Sequence, residues 1–156
     1  MIKNLHRGYA AIGLHQPKTA ANVGSVLRAA GCYGASLICI SGKRFSPSCV
    51  DTQKQHRHTP LIECTDLRDV VPYGAVPVAV DLINGATPLP EYTHPERAFY
   101  IFGPEDSTLG IKTIEWCQDI IYVPTHYCMN LAATVNVILY DRMAKRGEAS
   151  QITSKS

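Results

Sequence analysis

The chain has no uninterrupted apolar run of about 18 residues, so no membrane-spanning helix is expected. Its first eight residues, Met1-Ile-Lys-Asn-Leu-His-Arg-Gly8, lack the apolar core of a signal peptide. Three common signatures are missing. Without Gly-x-Gly-x-x-Gly or Gly-x-x-x-x-Gly-Lys-[Ser/Thr], dinucleotide and P-loop sites have no support. Without Gly-x-Ser-x-Gly, neither does a hydrolase nucleophile elbow. Charge is scarce: 18% of residues are charged and the net charge is +2. A dedicated nucleic-acid domain often shows a pI above about 9, so overall charge names no partner. The six cysteines form no Cys-x-x-Cys pair. Several lie in apolar runs such as Leu37-Ile-Cys-Ile40, the pattern of reduced, buried thiols in a cytoplasmic protein. His56, His58 and Cys64 fit no standard zinc spacing, and no metal is expected.

What is present is an ordinary globular composition, 46% apolar over 156 residues. A chain of this length supports one domain, here residues 1–156, burying roughly 70% of its unfolded surface. Residues 1–8 and 147–156 are polar and are expected to be loosely ordered. Strand patterns at 9–14, 36–40, 61–64, 76–80, 98–102 and 120–123 alternate with helical ones. A helix is expected from Thr19 as N-cap to Ala30, stopped by Gly31. Thr65 is the expected cap of a brief helix to Val71, and another helix covers 111–116. Residues 83–90 read as loop, with a turn at Asn84-Gly85. This alternation predicts an α/β fold with a mostly parallel open sheet and helices on both faces.

The most informative stretch is 119–143. Ile120 to Val123 reads as a buried strand stopped by Pro124, followed by a polar loop. Leu131, Val135, Ile138, Leu139 and Met143 then recur on one helical face. Ligands of open α/β sheets bind at the carboxyl ends of strands, which makes the 124–130 loop the first candidate site. Three more strand ends hold notable residues: the helix bearing Asn22, Gly24, Ser25 and Arg28; Asp81-Leu82; and Phe102-Gly-Pro-Glu105. Arg28 is as readily an ordinary surface charge as a fork for a phosphate or carboxylate. The irregular stretch 41–59 carries Lys43-Arg44 and Lys54-Gln-His-Arg-His58, which alone read as solvated loop charge. A long irregular segment inside a compact domain is usually functional or mobile.

Taken together, these segments resemble the SpoU/TrmH family of SPOUT-class RNA methyltransferases from about Ala10 to Met143. Asn22-Val-Gly-Ser-Val-Leu-Arg28 resembles the family's first motif, Phe102-Gly-Pro-Glu105 with Gly110 its second, and Val123-Pro-Thr with Cys128-Met-Asn-Leu131 its third. The resemblance implies S-adenosyl-L-methionine as methyl donor and a ribose 2′-hydroxyl of RNA, tRNA first, as acceptor. It also implies a C-terminal deep trefoil knot and a homodimer with the last helix at or near its interface. On this chain the implied cofactor residues are Asp81, Leu82, Gly103, Glu105, Val123, Cys128 and Met129; the implied catalytic residue is Arg28, with Asn22 beside it. Substrate contacts would come from Arg28, Lys43, Arg44 and Arg57, with Lys54, Lys3 and Arg7 as further candidates. Two departures stand out: Cys128 replaces the family's usual serine, and the loop from Pro124 is short. They leave open a non-catalytic RNA-binding member of the fold. A different nucleotide-binding α/β enzyme is the remaining alternative.

Overall fold

The computed structural model describes residues 7–45 and 57–148. One seven-stranded sheet runs in the order β3-β2-β1-β6-β4-β7-β5, with every pairing parallel. The strands are β1 Tyr9–His15, β2 Leu37–Ser41, β3 Leu61–Cys64, β4 Val76–Val80, β5 Thr87–Pro88, β6 Arg97–Phe102 and β7 Asp119–Tyr122. The helices are α1 Ala20–Tyr33, α2 Ile111–Ile114 and α3 Leu131–Lys145. Two strands fill slots left open earlier in the chain: β6 enters between β1 and β4, and β7 between β4 and β5.

Successive side chains of a strand point to opposite faces, so a strand covered on both sides reads as a continuous apolar run. Ala98, Tyr100 and Phe102 of β6 join Ile12, Leu14 and Val78 in one core, against α1 and α3. Phe99 and Ile101 join Ala11, Cys39 and Ala79 in the other, under Leu67, Leu109 and the partly buried Ile114 and Trp116. The helices are held by their stripes: Val23, Val26, Leu27 and Ala30 on α1, and Leu131, Val135, Ile138 and Leu139 on α3, all buried. A buried side chain of this size contributes roughly 1.5–3 kcal/mol. An exposed ion pair gives at most about 1 kcal/mol, so apolar packing decides where these helices sit.

Local signals explain most boundaries. Thr19 Oγ1 accepts from the Asn22 N–H at 3.3 Å and starts α1. The helix does not stop at Gly31. It continues to Tyr33, and Gly34 ends it in the left-handed region, at φ 69°, with its N–H donated to the Ala30 carbonyl. Asp66 rather than Thr65 caps the next turn, a 3-10 helix at Leu67–Val70, by accepting from the Arg68 N–H. The helix expected over 111–116 is the single turn Ile111–Ile114, and β7 ends one residue before Val123. Thr87–Pro88, expected to be loop, pairs with β7 at the sheet edge. Asn130 caps α3, its Oδ1 accepting from the Ala133 N–H at 2.7 Å. Among the described residues no helix is long and apolar enough to cross a membrane. The described ends of the chain are tied down: the Tyr9 N–H donates to the Glu96 carbonyl, and the Arg146 guanidinium donates to the Arg7 carbonyl.

A buried polar cluster fastens α3 to the amino-terminal edge of the sheet. Arg142, 6% exposed, donates to the carbonyls of Pro95, Glu96 and Tyr9 at 2.6, 2.7 and 3.2 Å. It also donates to the Tyr100 hydroxyl at 3.3 Å. That hydroxyl lies 2.6 Å from His94 Nδ1, and His94 Nε2 lies 2.7 Å from Asp141 Oδ2. A neutral imidazole satisfies the whole chain: Tyr100 donates to Nδ1, and Nε2–H donates to Asp141. The His94 side chain is only 1% exposed. Its burial holds the imidazole below its ordinary pKa, aided by the cations Lys145 and Arg142, while Asp141 works against the shift without reversing it. Burial likewise pushes Tyr100 up to about 12.

The sign of the resulting pH dependence follows from linkage. An unfolded histidine takes up a proton near pH 6.5, whereas folded His94 resists it until a lower pH. Its contribution is therefore complete above that range and is lost as pH falls through the folded value. Melting curves between about pH 7.5 and 5 should show falling stability, with a shallower slope in His94→Gln. His15, also lowered by burial, is common to both proteins and drops out of the comparison. Equal slopes would show that His94 does not titrate as described.

Candidate active site at the carboxyl edge of the sheet

Parallel pairing places every strand's carboxyl end on one edge. In the last paired rows, Leu14 lies beside Phe102, Phe102 beside Val80, and Val80 beside Ile121. The residues that follow these positions leave the sheet side by side. Between them lies a cleft of about 410 Å³, lined by segments 80–82, 102–109 and 122–134. This volume falls within the usual range for small-molecule sites, roughly 300–1,000 Å³.

Each wall is braced by the others. The Asp81 N–H donates to the Ile121 carbonyl at 2.9 Å, pinning the first wall to the end of β7. The Asp81 carboxylate accepts from the Leu109 N–H at 3.2 Å, fixing the far end of the 103–109 loop. At Gly103 a Cβ would sit 3.1 Å from the Leu109 nitrogen, so the loop's tight fold-back favours a residue without one. In the third wall, Thr125 Oγ1 donates to the Tyr127 carbonyl at 2.7 Å, closing the short 124–130 loop on itself. Leu82 and Tyr127 line the cleft while remaining 75% and 88% exposed.

Asp81, Leu82, Gly103, Glu105, Val123, Cys128 and Met129 all line this cleft. Asn22 reaches it through Glu105: Asn22 Nδ2 donates to Glu105 Oε1 at 2.8 Å, and the Lys18 N–H donates to Oε2 at 2.9 Å. Glu105 thus ties the start of α1 to the cleft. Arg28, six positions beyond Asn22 on α1, is exposed and is not part of the lining. It has no hydrogen bond or ion pair among the described residues.

The basic candidates fall into different settings. Lys43 forms an ion pair with Glu63. Arg44 grips Asp106 with both terminal nitrogens, at 3.2 and 2.9 Å, and also donates to the Gln16 carbonyl. Arg57 is exposed, and Arg7 lies at the opposite, amino-terminal edge beside Arg146. Lys3, Lys54 and His56 lie outside the described residues. Sequence reasoning did not single out Asp106, Tyr127 or Leu82's exposure. Asp106 carried a signal, a second carboxylate directly after Glu105, but its partner is 62 positions away.

Cys128 is exposed on the cleft wall, and Cys32 is also exposed. The described cysteines are all free thiols. Among the described residues, no cluster of three or more His, Cys, Asp or Glu side chains is arranged to hold a metal.

Comparison with known proteins agrees with this geometry. A crystal structure of the SpoU methyltransferase AviRb from Streptomyces viridochromogenes, in complex with the cofactor AdoMet, superposes with a TM-score of 0.80 at 19% identity. The match covers 92% of this chain and 60% of that one, so this chain spans about three fifths of that relative's length. A structure described for the 2-OH methylation of C/U34 on tRNA gives a TM-score of 0.78 at 22% identity, over 88% of this chain and 96% of that one. The A. aeolicus TrmH/SpoU tRNA modifying enzyme gives 0.77 at 15% identity, over 93% and 79%. No curated protein sequence matches closely enough for comparison. At these identities the superpositions establish the fold. The SpoU rRNA Methylase family model matches residues 9–140, and the chain belongs to that family.

Proposed function

We propose that this protein transfers a methyl group from S-adenosyl-L-methionine to a ribose 2′-hydroxyl of RNA, most specifically of tRNA, in the cytoplasm. The observation that carries this reading is the cleft itself, where three strand-end segments meet in a volume suited to a nucleoside. The donor set fits such a cofactor. The Asp81 carboxylate offers acceptors to sugar hydroxyls, Glu105 offers a carboxylate for the ammonium end, and Leu82, Val123 and Met129 offer apolar surface to a purine. The backbone of the 123–129 segment supplies donors and acceptors for the adenine edge. Free thiols suit a reducing compartment. The short relative described for methylation of tRNA is matched over nearly its whole length, which favours tRNA over other RNAs.

S-adenosyl-L-methionine would supply an electrophilic methyl group held on a sulfonium. The chain's own residues must orient and activate the hydroxyl. Arginine is a poor base, with a pKa above about 12, so Arg28 is better suited to forking onto the RNA phosphate than to accepting a proton. Its planar fork would hold the phosphate and polarise the neighbouring hydroxyl, whose proton would pass to water. Asn22, fixed by Glu105, stands at the start of the same helix. Cys128 offers only a weak hydrogen-bond donor where a serine is usual, which assigns it to packing and backbone contacts rather than proton transfer.

Because Arg28 is absent from the cleft lining, the proposed assembly is a homodimer in which surfaces of α1 and α3 meet their copies. The exposed Val137 and Tyr140 on α3 support this, with Tyr140 standing edge-on to Tyr33 of α1 at 6.3 Å between ring centroids. The family's trefoil knot belongs to the same proposal. It is consistent with β7 entering the sheet inside β5, which precedes it in the chain.

Three outcomes follow. Purified protein should bind S-adenosyl-L-methionine in calorimetry, and nucleoside mass spectrometry of tRNA from a strain lacking the gene should show one 2′-O-methylated nucleoside missing. An unchanged nucleoside profile, with no methyl transfer to that tRNA in vitro, would remove the proposed activity. Arg28→Ala should lose at least about 100-fold in turnover with cofactor affinity retained, and Arg28→Lys should also fail because it lacks the fork. Normal turnover in Arg28→Ala would refute the assignment. Sedimentation equilibrium should give a dimer that Tyr140→Asp weakens; a wild-type monomer would rule out the assembly.

A further inference from the structure

The loop after β1, the start of α1, the segment after β2 and the 103–109 loop are laced together beside the cleft by two adjacent carboxylates. Glu105 holds Asn22 and the Lys18 N–H. Asp106 holds Arg44 through two bonds, with Lys18 Nζ at 3.8 Å. Arg44 spans the gap to the loop after β1: its Nε and Nη2 donate to the Gln16 carbonyl at 3.3 and 3.0 Å. The Arg44 N–H donates to the Pro17 carbonyl at 3.2 Å.

Gln16 is the only described non-glycine residue at positive φ, 51°. The left-handed region is disfavoured for a residue bearing a side chain, so surrounding contacts must hold it. Two do: its N–H donates to the Ser41 carbonyl at 2.7 Å, and its carbonyl takes the Arg44 guanidinium. Arg44 therefore braces a strained turn on one side and the 103–109 loop on the other. A lysine could not do both, because it lacks the rigid planar fork.

Arg44 stands at the start of the irregular segment expected to meet RNA, and Asp106 stands between the cleft-lining residues Glu105 and Ser107. Asp106 itself is outside the lining. We propose that the Arg44–Asp106 pair is a latch that positions the cofactor loop from the RNA side of the site, making Arg44 a positioning residue and not a simple phosphate contact. This rests on the proposed methyltransferase function. The latch also gives RNA a handle on the cofactor loop. A phosphate entering the fork of Arg44 competes with the Asp106 carboxylate, so substrate engagement and cofactor retention share one guanidinium. The carboxylate is well suited to this role, since its hydrogen bond with Arg44 keeps it below the usual carboxylate range.

Calorimetry without RNA tests the latch. Arg44→Gln and Asp106→Asn should each weaken S-adenosyl-L-methionine binding by about fivefold, the upper range for an exposed pair, and the double variant should be no worse than either single one. Exchanging the charges, Arg44→Asp with Asp106→Arg, should recover part of the loss. Melting temperatures should stay near wild type, which separates positioning from general destabilisation. If Asp106→Asn binds the cofactor normally and Arg44→Gln weakens only binding of tRNA, Arg44 is a phosphate contact and the latch is refuted. Wild-type protein that binds no S-adenosyl-L-methionine would overturn the latch together with the function it rests on, whereas normal wild-type binding unaffected by either variant overturns the latch alone.

Discussion

The constraint on which this molecule depends is the parallel pairing of its sheet. Parallel strands cannot be joined by hairpins, so every return of the chain must cross a face of the sheet, and both faces become buried. That requirement produces the two cores, one under α1 and α3 and the other under the turns around Leu67 and Leu109. It also gives the sheet two chemically distinct edges. At the carboxyl edge, chain segments leave the sheet and expose polar backbone to a cleft. At the amino edge, the arriving segments are gathered by Arg142, whose guanidinium donates to the carbonyls of Pro95, Glu96 and Tyr9. Leaving a buried acceptor unpaired costs roughly 1–3 kcal/mol, so hydrogen bonds from one buried side chain help to hold this edge.

The two edges differ in how they are held, and this suits what each must do. Around Arg142 the contacts are buried, neutral or fully satisfied, and they bring together residues from β1, β6 and α3. Around the cleft the bracing contacts are carboxylates at or near the surface: Asp81 on Leu109, Glu105 on Asn22, and Asp106 on Arg44. Exposed charge pairs are individually weak and are screened by salt. A loop held this way keeps a definite resting geometry yet yields to a competing anion. A rigid floor with charge-held walls suits the proposed function, in which the site admits a small cofactor and then a large polyanion.

Much of this architecture was legible from residue order, and the failures have physical causes. β6 reads clearly because Ala98 to Phe102 is apolar throughout, as burial on both faces demands. Thr19 announces its helix because a side-chain acceptor is needed where backbone N–H groups have no partners. Gly31 misled because a glycine inside a helix costs only about 1 kcal/mol, which the buried stripe of α1 easily offsets. The real stop, Gly34, is distinguished only by its positive φ. Thr87–Pro88 was invisible because two residues show no period; only β7 alongside makes them a strand. The helix over 111–116 shrank to one turn because Ile111, part of its apparent apolar face, is 81% exposed and has no core to join.

The site was legible to a different depth. Its cleft residues follow strand ends, and strand ends are readable from pattern, so the positions of Asp81, Gly103 and Val123 were within reach. The bonds between those positions were not. The Arg44–Asp106 and Asn22–Glu105 contacts join residues 62 and 83 positions apart, and nothing local in either segment specifies its partner. For the same reason, Arg44 read alone as solvated loop charge, and only the family resemblance made it a candidate RNA contact. In the folded chain its charge is already answered by Asp106, as that of Lys43 is by Glu63. A cation paired in the free protein contributes to RNA binding only the difference between its phosphate contact and the carboxylate contact it gives up. Under the proposed function, the basic residues of greatest consequence for RNA are therefore those without such partners. Arg28, exposed and unpaired among the described residues, is one of them, and it belongs to the same helix that Glu105 anchors to the cleft.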